Sequence, residues 1–387
     1  MKKEKLLFVM ESLRIGGAER SLLTLLSSLN YERYDVELFL FRHNGELMEF
    51  LPPQVRLLPE DAKYHIFDQN RKMAPLRYLA QGDLFRAWNS LCYLFGCIRQ
   101  KISRQPLYIG WNFVRHLFCN QELTADVAVA YMERKSVYFT AEYVVAPRKV
   151  AFIHNNYNIY PYDEKLDYRY FSNFQRIAAV AEYCRQVLVE RFPMYADRFV
   201  VVKNLVSASM IRRMAQQPLP QQVEDNGKLV LVTVGRLVAQ KGYDRAIRIC
   251  KKLLEHNVPV KWYAIGDGSE YNELKAQIQS LGLKPTFILA GSCVNPYPWM
   301  KLADVYVQPS RFEGCSTTVA EAMILNKRIV CSDIPEFREQ LQAYPNARFA
   351  SNEDKFVQAI CEIENQSVRS YPVAEEEPTA FYRCIET

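Results

Sequence analysis

Short apolar runs alternate with amphipathic segments along most of the 387-residue chain. In the second half, the apolar runs predict strands, and periodic segments such as Tyr243–Glu255 predict the helices between them. The predicted strands are Leu229–Val234, Val260–Ile265, Thr286–Ala290, Val305–Gln308 and Arg328–Cys331. Regular alternation of strand and helix is typical of a doubly wound parallel sheet, whose ligand site lies at the carboxyl ends of the strands.

The first half shows the same alternation, with predicted strands at Leu6–Met10, Val36–Phe41, Val55–Leu58, Asp126–Tyr131, Lys149–Ile153, Ile177–Ala181 and Phe199–Val202. A polar, proline-rich stretch at 216–222 predicts a linker. Because the chain is too long for one ordinary core, we predict two α/β domains, at 1–210 and 211–370. The tail at 371–387 is predicted to pack back on the first domain.

Cysteine usage and the N-terminus indicate a cytosolic protein. Ten cysteines occur without a CxxC pair or metal-like spacing, which favours reduced thiols. The apolar run Leu6–Met10 is too short for a signal peptide and predicts a first strand. No run approaches the ~20 apolar residues that a membrane span needs.

The segment 63–121 interrupts the alternation and carries most of the excess charge. Nine basic and two acidic residues give it +7, against +6 for the whole chain, and it contains eleven aromatic residues. Apolar residues recur at helical spacing at Leu84, Phe85, Trp88, Leu91 and Phe95. A basic helix with an aromatic face suits an anionic membrane surface. Packing on the domain core, or an acceptor cleft, explains the pattern equally well, and no motif accompanies it that would indicate nucleic acid.

Polar residues follow the predicted strands of the second half. Strand Leu229–Val234 leads into Gly235-Arg236-Leu237 and Gln240-Lys241-Gly242, which place two cations at one carboxyl edge. An arginine fork and a lysine point charge together can neutralise a diphosphate.

The stretch Arg311–Ala322 joins the strand Val305–Gln308 to a predicted helix over Val319–Leu325. Small residues at a helix start leave backbone N–H groups that, with the helix dipole, favour an anion. Two carboxylates, Glu313 and Glu321, flank these small residues and can accept hydrogen bonds from hydroxyl groups. The stretch therefore predicts a ligand with phosphates between hydroxyl-rich ends, such as a nucleotide sugar.

These motifs, with Gly266-Asp267-Gly268 and Glu270, resemble the donor domain of glycosyltransferase family 4, retaining group 1 enzymes of the GT-B fold. The first half matches more loosely, through Gly16-Gly17-Ala18-Glu19 and Phe152-Ile153-His154-Asn155. The resemblance implies two Rossmann-like, doubly wound parallel-sheet domains that face each other across a cleft. It also implies transfer of a hexose to a growing, lipid-linked capsule, exopolysaccharide or lipopolysaccharide glycan, by a peripheral protein at the cytoplasmic face of the membrane.

The resemblance further implies a role for each matching residue. Arg236 and Lys241 would bind the donor diphosphate, Glu313 would contact the sugar and Glu321 the ribose. His154 would reach the sugar or acceptor from the other domain. The remaining donor contacts would come from the Gly16-Gly17 loop and from the backbone amides of Gly314, Cys315, Ser316, Thr317 and Thr318.

The expected substrate is a UDP- or GDP-sugar, without a metal or other cofactor. The chain has no Asp-x-Asp motif of the kind that metal-dependent sugar transferases use. Charge that grows on the leaving diphosphate can be stabilised by two cations and a helix N-terminus. Two alternatives stay open: a nucleotide-sugar epimerase with the same fold, and a non-catalytic partner of an active transferase.

Overall fold

The computed structural model describes residues 3–103, 110–119, 122–158, 163–219, 227–373 and 377–386, with backbone only at 100–103. The chain forms two compact units. The N-terminal unit comprises Met1–Lys203 and Pro378–Thr387, and the C-terminal unit comprises Asn204–Glu377. The sequence-based boundaries at 210/211 and 370/371 stay predictions.

The N-terminal unit is built on a parallel sheet. Its strands are β1 (Glu4–Met10), β2 (Tyr34–Leu40), β3 (Arg56–Leu57), β4 (Leu123–Thr124), β5 (Val127–Ala130), β6 (Val144–Val145), β7 (Arg148–Ile153), β8 (Arg176–Ala179) and β9 (Phe199–Val201). Within the described residues, a seven-stranded sheet has the order β3-β2-β1-β5-β7-β8-β9, and β4 pairs with β6. The order reverses between β1 and β5, which is the switch point of a doubly wound sheet.

Helices cover both faces of this parallel sheet, whose strands are buried over most of their length. They are α1 (Gly17–Ser28), α2 (Ala62–Gln69), α3 (Ala74–Ala80), α4 (Leu84–Ser103), α5 (Gly110–Val114), α6 (Lys135–Tyr143), α7 (Glu164–Phe171) and α8 (Glu182–Arg191). Short 3₁₀ turns occur at Met48–Phe50, Arg115–Leu117 and Pro193–Arg198.

The basic, aromatic segment divides between core and surface. Tyr64, Phe67, Trp111 and Phe118 are buried in the N-terminal unit, and Tyr64 stacks on Phe118 with ring centroids 4.4 Å apart. Helix α4, in contrast, exposes a row of large apolar side chains, described below. The core-packing interpretation is therefore confirmed for these four residues, whereas membrane contact through the exposed residues of α4 stays a prediction.

The C-terminal unit has the predicted alternating elements. Its strands are β10 (Leu229–Val234), β11 (Val260–Ile265), β12 (Phe287–Gly291), β13 (Val305–Gln308), β14 (Arg328–Ser332) and β15 (Ala347–Ala350). The described strands form one parallel sheet with the order β12-β11-β10-β13-β14-β15, so the switch point lies between β10 and β13. Its helices are α9 (Ala208–Met214), α10 (Tyr243–Glu255), α11 (Tyr271–Ser280), α12 (Tyr297–Leu302), α13 (Thr317–Ile324), α14 (Pro335–Gln340) and α15 (Glu353–Glu364).

Side chains of alternate residues in each strand pack into two separate apolar layers, one on each face of the sheet. Leu231 packs with Trp262 and the helices α10 and α15 on one face, whereas Val232 packs with Tyr306 and α13 on the other. This two-residue period places helices on both faces and leaves the strand ends for loops.

A last helix, α16 (Thr379–Glu386), belongs to the N-terminal unit. Phe381 stacks on Phe8 with centroids 5.8 Å apart, and Tyr382 stacks on Tyr34 at 5.9 Å. None of the helices within the described ranges is long and apolar enough to cross a bilayer.

Candidate active site

Loops after β10 and β13 meet at the switch point of the C-terminal sheet. Gly242 adopts a left-handed φ of 69°, and a Cβ there would lie 2.2 Å from the Pro309 carbonyl oxygen. Gly266 is as constrained, because a Cβ would lie 1.9 Å from the Gly235 carbonyl oxygen. Glycine at these two positions therefore lets the three strand ends approach one another closely.

Two hydrogen bonds hold the β10 loop to the β13 loop. The Arg311 N–H donates to the Gln240 carbonyl at 2.8 Å, and Gln240 Nε2 donates to the Phe312 carbonyl at 3.1 Å. Arg311 also forms an ion pair with Asp244 of α10, at 2.7 Å. These bonds fix the positions of the residues that follow in each loop, Lys241 and Glu313.

Lys241 and Glu313 form an ion pair. Lys241 Nζ lies 2.7 Å from Glu313 Oε1 and 3.0 Å from Oε2, and the side chains are only 14% and 5% exposed. An ammonium has three donors, so two of its N–H groups can serve Glu313 and one can reach a further acceptor. Oε2 likewise has room for another donor.

A buried relay of hydrogen bonds leads to this pair. Tyr306 OH donates to Gln308 Oε1 at 2.7 Å, and Gln308 Nε2 donates to Ser310 Oγ at 2.8 Å. Ser310 Oγ donates to Glu313 Oε1 at 2.7 Å. Burial raises the pKa of Tyr306, so its hydroxyl stays protonated and acts as a donor. Ser310 and Lys241 thus both donate to Glu313 Oε1, and together they fix the orientation of the carboxylate.

Glu321 lies in the second turn of α13 and is 2% exposed. Its Oε1 accepts a hydrogen bond from Tyr297 OH at 3.0 Å. The fold thus places Glu313 before α13 and Glu321 inside it, the arrangement that the sequence predicts.

The loop from Gly314 to Thr318 contains a feature that the sequence does not show. Gln340 of α14 binds Ser316 through both ends of its amide: Oε1 accepts from the Ser316 N–H at 3.1 Å, and Nε2 donates to the Ser316 carbonyl at 2.7 Å. Ser316 Oγ lies 3.2 Å from Thr318 Oγ1. The Ser316 amide is therefore engaged with Gln340 and not presented to solvent, while Ser316 and Thr317 are buried.

Arg236 follows β10 and is exposed, and it forms no salt bridge with any residue that the structure describes. Glu270, at the start of α11, is partly buried, and this burial raises the pKa of its carboxyl group.

The predicted residues of the N-terminal unit lie at the carboxyl ends of its strands. Gly16 precedes α1 and Gly17 is its first residue. A Cβ on Gly16 would lie 2.1 Å from Glu19 Oε2, so a side chain there would require the flexible Glu19 side chain to move. His154 directly follows β7 and is buried, with Nε2 3.0 Å from the Tyr131 carbonyl oxygen. Its backbone N–H donates to Glu133 Oε2 at 3.0 Å.

The sequence analysis missed four residues that hydrogen-bond, directly or through the relay, to Glu313 or Glu321: Gln308, Ser310, Tyr297 and Tyr306. A signal existed for two of them, because Gln308 and Ser310 are polar residues at the end of an otherwise apolar strand. Among the described residues, no group of three or more His, Cys, Asp or Glu side chains is placed to hold a metal ion.

Part of the chain is similar in sequence to known proteins. Residues 216–376 match the family of glycosyl transferases group 1. Over 171 residues the chain is 29% identical to an uncharacterized glycosyltransferase of Methanocaldococcus jannaschii. This match covers 43% of this chain and 42% of that protein. Over 199 residues it is 25% identical to the GPI3 subunit of phosphatidylinositol N-acetylglucosaminyltransferase from Saccharomyces cerevisiae, covering 51% of this chain and 43% of the subunit. The chain thus aligns with less than half of either relative.

Solved structures extend the likeness to the whole fold. The crystal structure of Anabaena HepE in complex with UDP and glucose matches with a TM-score of 0.63 at 17% identity, covering 94% of this chain and 90% of HepE. The predicted GT-B fold, with two Rossmann-like domains, is confirmed. The resemblance to group 1 glycosyltransferases is also confirmed, through the C-terminal part of the chain, while membership of family 4 within this group stays a prediction.

Proposed function

We propose that the protein is a retaining glycosyltransferase that moves a hexose from a nucleotide-diphosphate sugar to a growing, lipid-linked cell-surface glycan. The observation that carries this proposal is the buried Lys241–Glu313 pair at the switch point, with the Glu321 carboxylate on the helix that follows. Parallel sheets bind ligands at this point. The group 1 family match and the UDP in the HepE structure support a nucleotide-sugar donor.

Each side chain has a task in this proposal. The third Lys241 N–H and the exposed Arg236 bind the donor diphosphate and stabilise the charge that grows on it as the glycosidic bond breaks. Glu313 accepts a hydrogen bond from a sugar hydroxyl through Oε2, and Glu321 accepts from the ribose. The charge on the leaving group is met by side chains, so the proposed reaction needs no metal. His154 and the Gly16-Gly17 loop act from the N-terminal unit.

Membrane attachment is the second part of the proposal. Helix α4 exposes large apolar side chains, which we call the α4 apolar face: Leu84 (70%), Phe85 (60%), Trp88 (66%), Phe95 (63%) and Ile98 (54%). Exposed cations lie nearby on α3 and α4, at Arg77 and Arg99. An apolar face beside basic residues suits the surface of an anionic bilayer. We place the protein at the cytoplasmic face of the membrane, where this helix would meet a lipid-linked acceptor.

Donor binding is tested by thermal shift with UDP, GDP and their sugars, because a ligand that binds only the folded state raises Tm. At least one nucleotide should raise Tm. Glu321→Gln keeps an acceptor for Tyr297 but loses the charge, and it should weaken nucleoside binding roughly 10- to 100-fold, as expected for a charge-assisted hydrogen bond. Glu362→Gln, an exposed change on α15, is the control. The proposal fails if no nucleotide shifts Tm, or if both variants bind as the wild type does.

A further inference from the structure

The N-terminal sheet has a switch point of its own, and a pocket lies there. β1 pairs in parallel with β2 on one side and with β5 on the other. The carboxyl ends of β1 and β5 therefore lie next to each other. Glu11 directly follows β1, and Lys135 begins α6 after β5. Both line a cavity of about 230 Å³ whose walls come from α2, α4 and α5. The position is the one at which doubly wound sheets bind ligands.

The pocket combines a buried cation with aromatic walls. Lys135 is 8% exposed, and its Nζ lies 3.1 Å from Glu11 Oε1 and 3.2 Å from Tyr64 OH. Nζ also lies 4.7 Å from the centre of the Phe41 ring. The Glu11 side chain is 48% exposed, so its second oxygen remains accessible to a ligand.

Arg71 adds a second cation to the lining. Its guanidinium lies over the rings of Phe67, at 5.8 Å, and Tyr93, at 5.9 Å, and it donates to Tyr93 OH at 3.2 Å. Within the described part of the chain, Arg71 forms no ion pair with a carboxylate. The nearby Asp68 is bound to Arg42 at 2.6 Å. Since Glu11 balances Lys135, the lining keeps one positive charge in excess.

Helix α4 joins this pocket to the α4 apolar face. Tyr93, Gly96 and Cys97 line the cavity, whereas Trp88 and Phe95 point to solvent. At 100° per residue these sets occupy different sides of one helix. If the outer side contacts lipid, the pocket lies close to the membrane surface, where a lipid-linked group would enter it.

We propose that this pocket binds a sugar phosphate of the acceptor, with the phosphate on Arg71 and Lys135, a sugar hydroxyl donating to Glu11, and the sugar ring against Tyr93. Each part of the lining matches one part of such a ligand: the carboxylate accepts from the sugar hydroxyls, the cations bind the phosphate, and the aromatic ring packs on the apolar face of the sugar. That the sugar phosphate is part of the acceptor rests on the proposed transferase function. That the pocket binds a sugar phosphate does not depend on that function.

The test is calorimetric titration of the full chain with a hexose 1-phosphate, the neutral hexose and inorganic phosphate, none of which carries a nucleoside. The hexose 1-phosphate should bind tightest of the three. Arg71→Gln should weaken it about tenfold, the loss expected for one charge-assisted contact. Lys165→Gln removes an equal charge from an exposed position on α7, outside the pocket, and should bind as the wild type does.

Two further measurements test separately the contact of Glu11 with the sugar and the lipid linkage of the ligand. Glu11→Gln should lower the ratio of hexose 1-phosphate affinity to inorganic phosphate affinity, because only the sugar uses that carboxylate. An alkyl ester of the hexose phosphate should bind more tightly than the free monoester if the ligand is lipid-linked. Equal loss in Arg71→Gln and Lys165→Gln, or equal binding of hexose and hexose 1-phosphate, would overturn the site. Binding of the monoester alone would overturn its assignment to the acceptor. Nucleotide binding in the thermal-shift assay stays independent of all these outcomes.

Discussion

Lys241 Nζ and Glu313 Oε1 lie 2.7 Å apart although 72 positions separate the two residues in the chain. The adjacent ends of β10 and β13 bring them together, and the bonds between their loops hold them there. Because both side chains are largely buried, each is the main compensation for the other's charge. The pair is therefore assembled before a donor binds.

This relationship predicts strong energetic coupling. In a double-mutant cycle with Lys241→Met and Glu313→Gln, measured by urea unfolding, we expect an interaction free energy of roughly 1–3 kcal/mol. The Arg338–Asp333 pair, at 57% and 35% exposure, is a matched control in the same unit. Its coupling should stay below about 1 kcal/mol. Equal coupling in the two cycles would contradict the buried pair.

Ser310 is predicted to position Glu313 without touching the donor. Ser310→Ala removes the bond to Glu313 Oε1 and leaves Gln308 Nε2 without its acceptor. We expect a loss of roughly 1–3 kcal/mol in unfolding free energy, as for a buried polar group deprived of its partner. Turnover should fall at least about tenfold while nucleotide affinity changes little, because the diphosphate contacts remain.

Ser280→Ala, which removes an exposed hydroxyl bonded to the Gln277 carbonyl, should change neither quantity. A Ser310→Ala variant with lower nucleotide affinity and normal turnover would show that the relay acts on binding and not on Glu313.

The α4 apolar face predicts membrane binding that is both apolar and electrostatic. Trp88→Glu and Phe95→Glu should each lower co-sedimentation with vesicles that contain anionic lipid, because a charge replaces a side chain that is more than 60% exposed. Raising the salt concentration should weaken wild-type binding. Phe50→Glu is the control, since Phe50 is an exposed aromatic residue outside α4. Unchanged sedimentation of all three variants would remove α4 from the membrane contact.

Asp167 predicts a pH dependence of stability. Burial raises the pKa of this carboxyl from 3.8 to about 6, although Tyr138 and Tyr157 each donate a hydrogen bond to it at 2.6 Å. The folded protein thus binds the proton more tightly than the unfolded chain does. This favours folding below pH 3.8, and the contribution is lost as the pH rises through 6.

Asp167→Asn cannot ionise. Relative to the wild type, it should therefore gain roughly 3 kcal/mol of unfolding free energy between about pH 3.5 and about pH 7. Chemical denaturation at several pH values measures this difference. Asp35→Asn, at an exposed position, should keep the wild-type slope. A constant difference between Asp167→Asn and wild type would mean that the Asp167 pKa is not raised.

Several parts of this architecture follow from local sequence. Strands such as β10 and β13 are continuous apolar runs that end at glycine or polar residues, and parallel order places their ends at one edge. The meeting of Lys241 with the Glu313 loop could therefore be predicted. Strand β15, Ala347–Ala350, was not predicted, because four residues without a β-branched side chain carry little strand signal.

Other features depend on contacts between distant residues. The helical spacing of Trp88 and Phe95 defines a face, but only the packing of α4 shows that this face is exposed. Gln340 and Ser316 are 24 positions apart, and the side-chain amide of Gln340 bonds to the Ser316 backbone. No sequence pattern predicts such a bond.

The most direct test of the central claim follows the anomeric proton of a nucleotide sugar by NMR, with and without a membrane extract as the source of acceptor. The donor is the nucleotide sugar that gives the largest thermal shift. The account predicts that the donor signal decays only when acceptor is present, with release of nucleoside diphosphate, a product of retained anomeric configuration, and no decay for Lys241→Met. Conversion of the donor alone into an epimer, or an unchanged donor in the presence of acceptor, would contradict it.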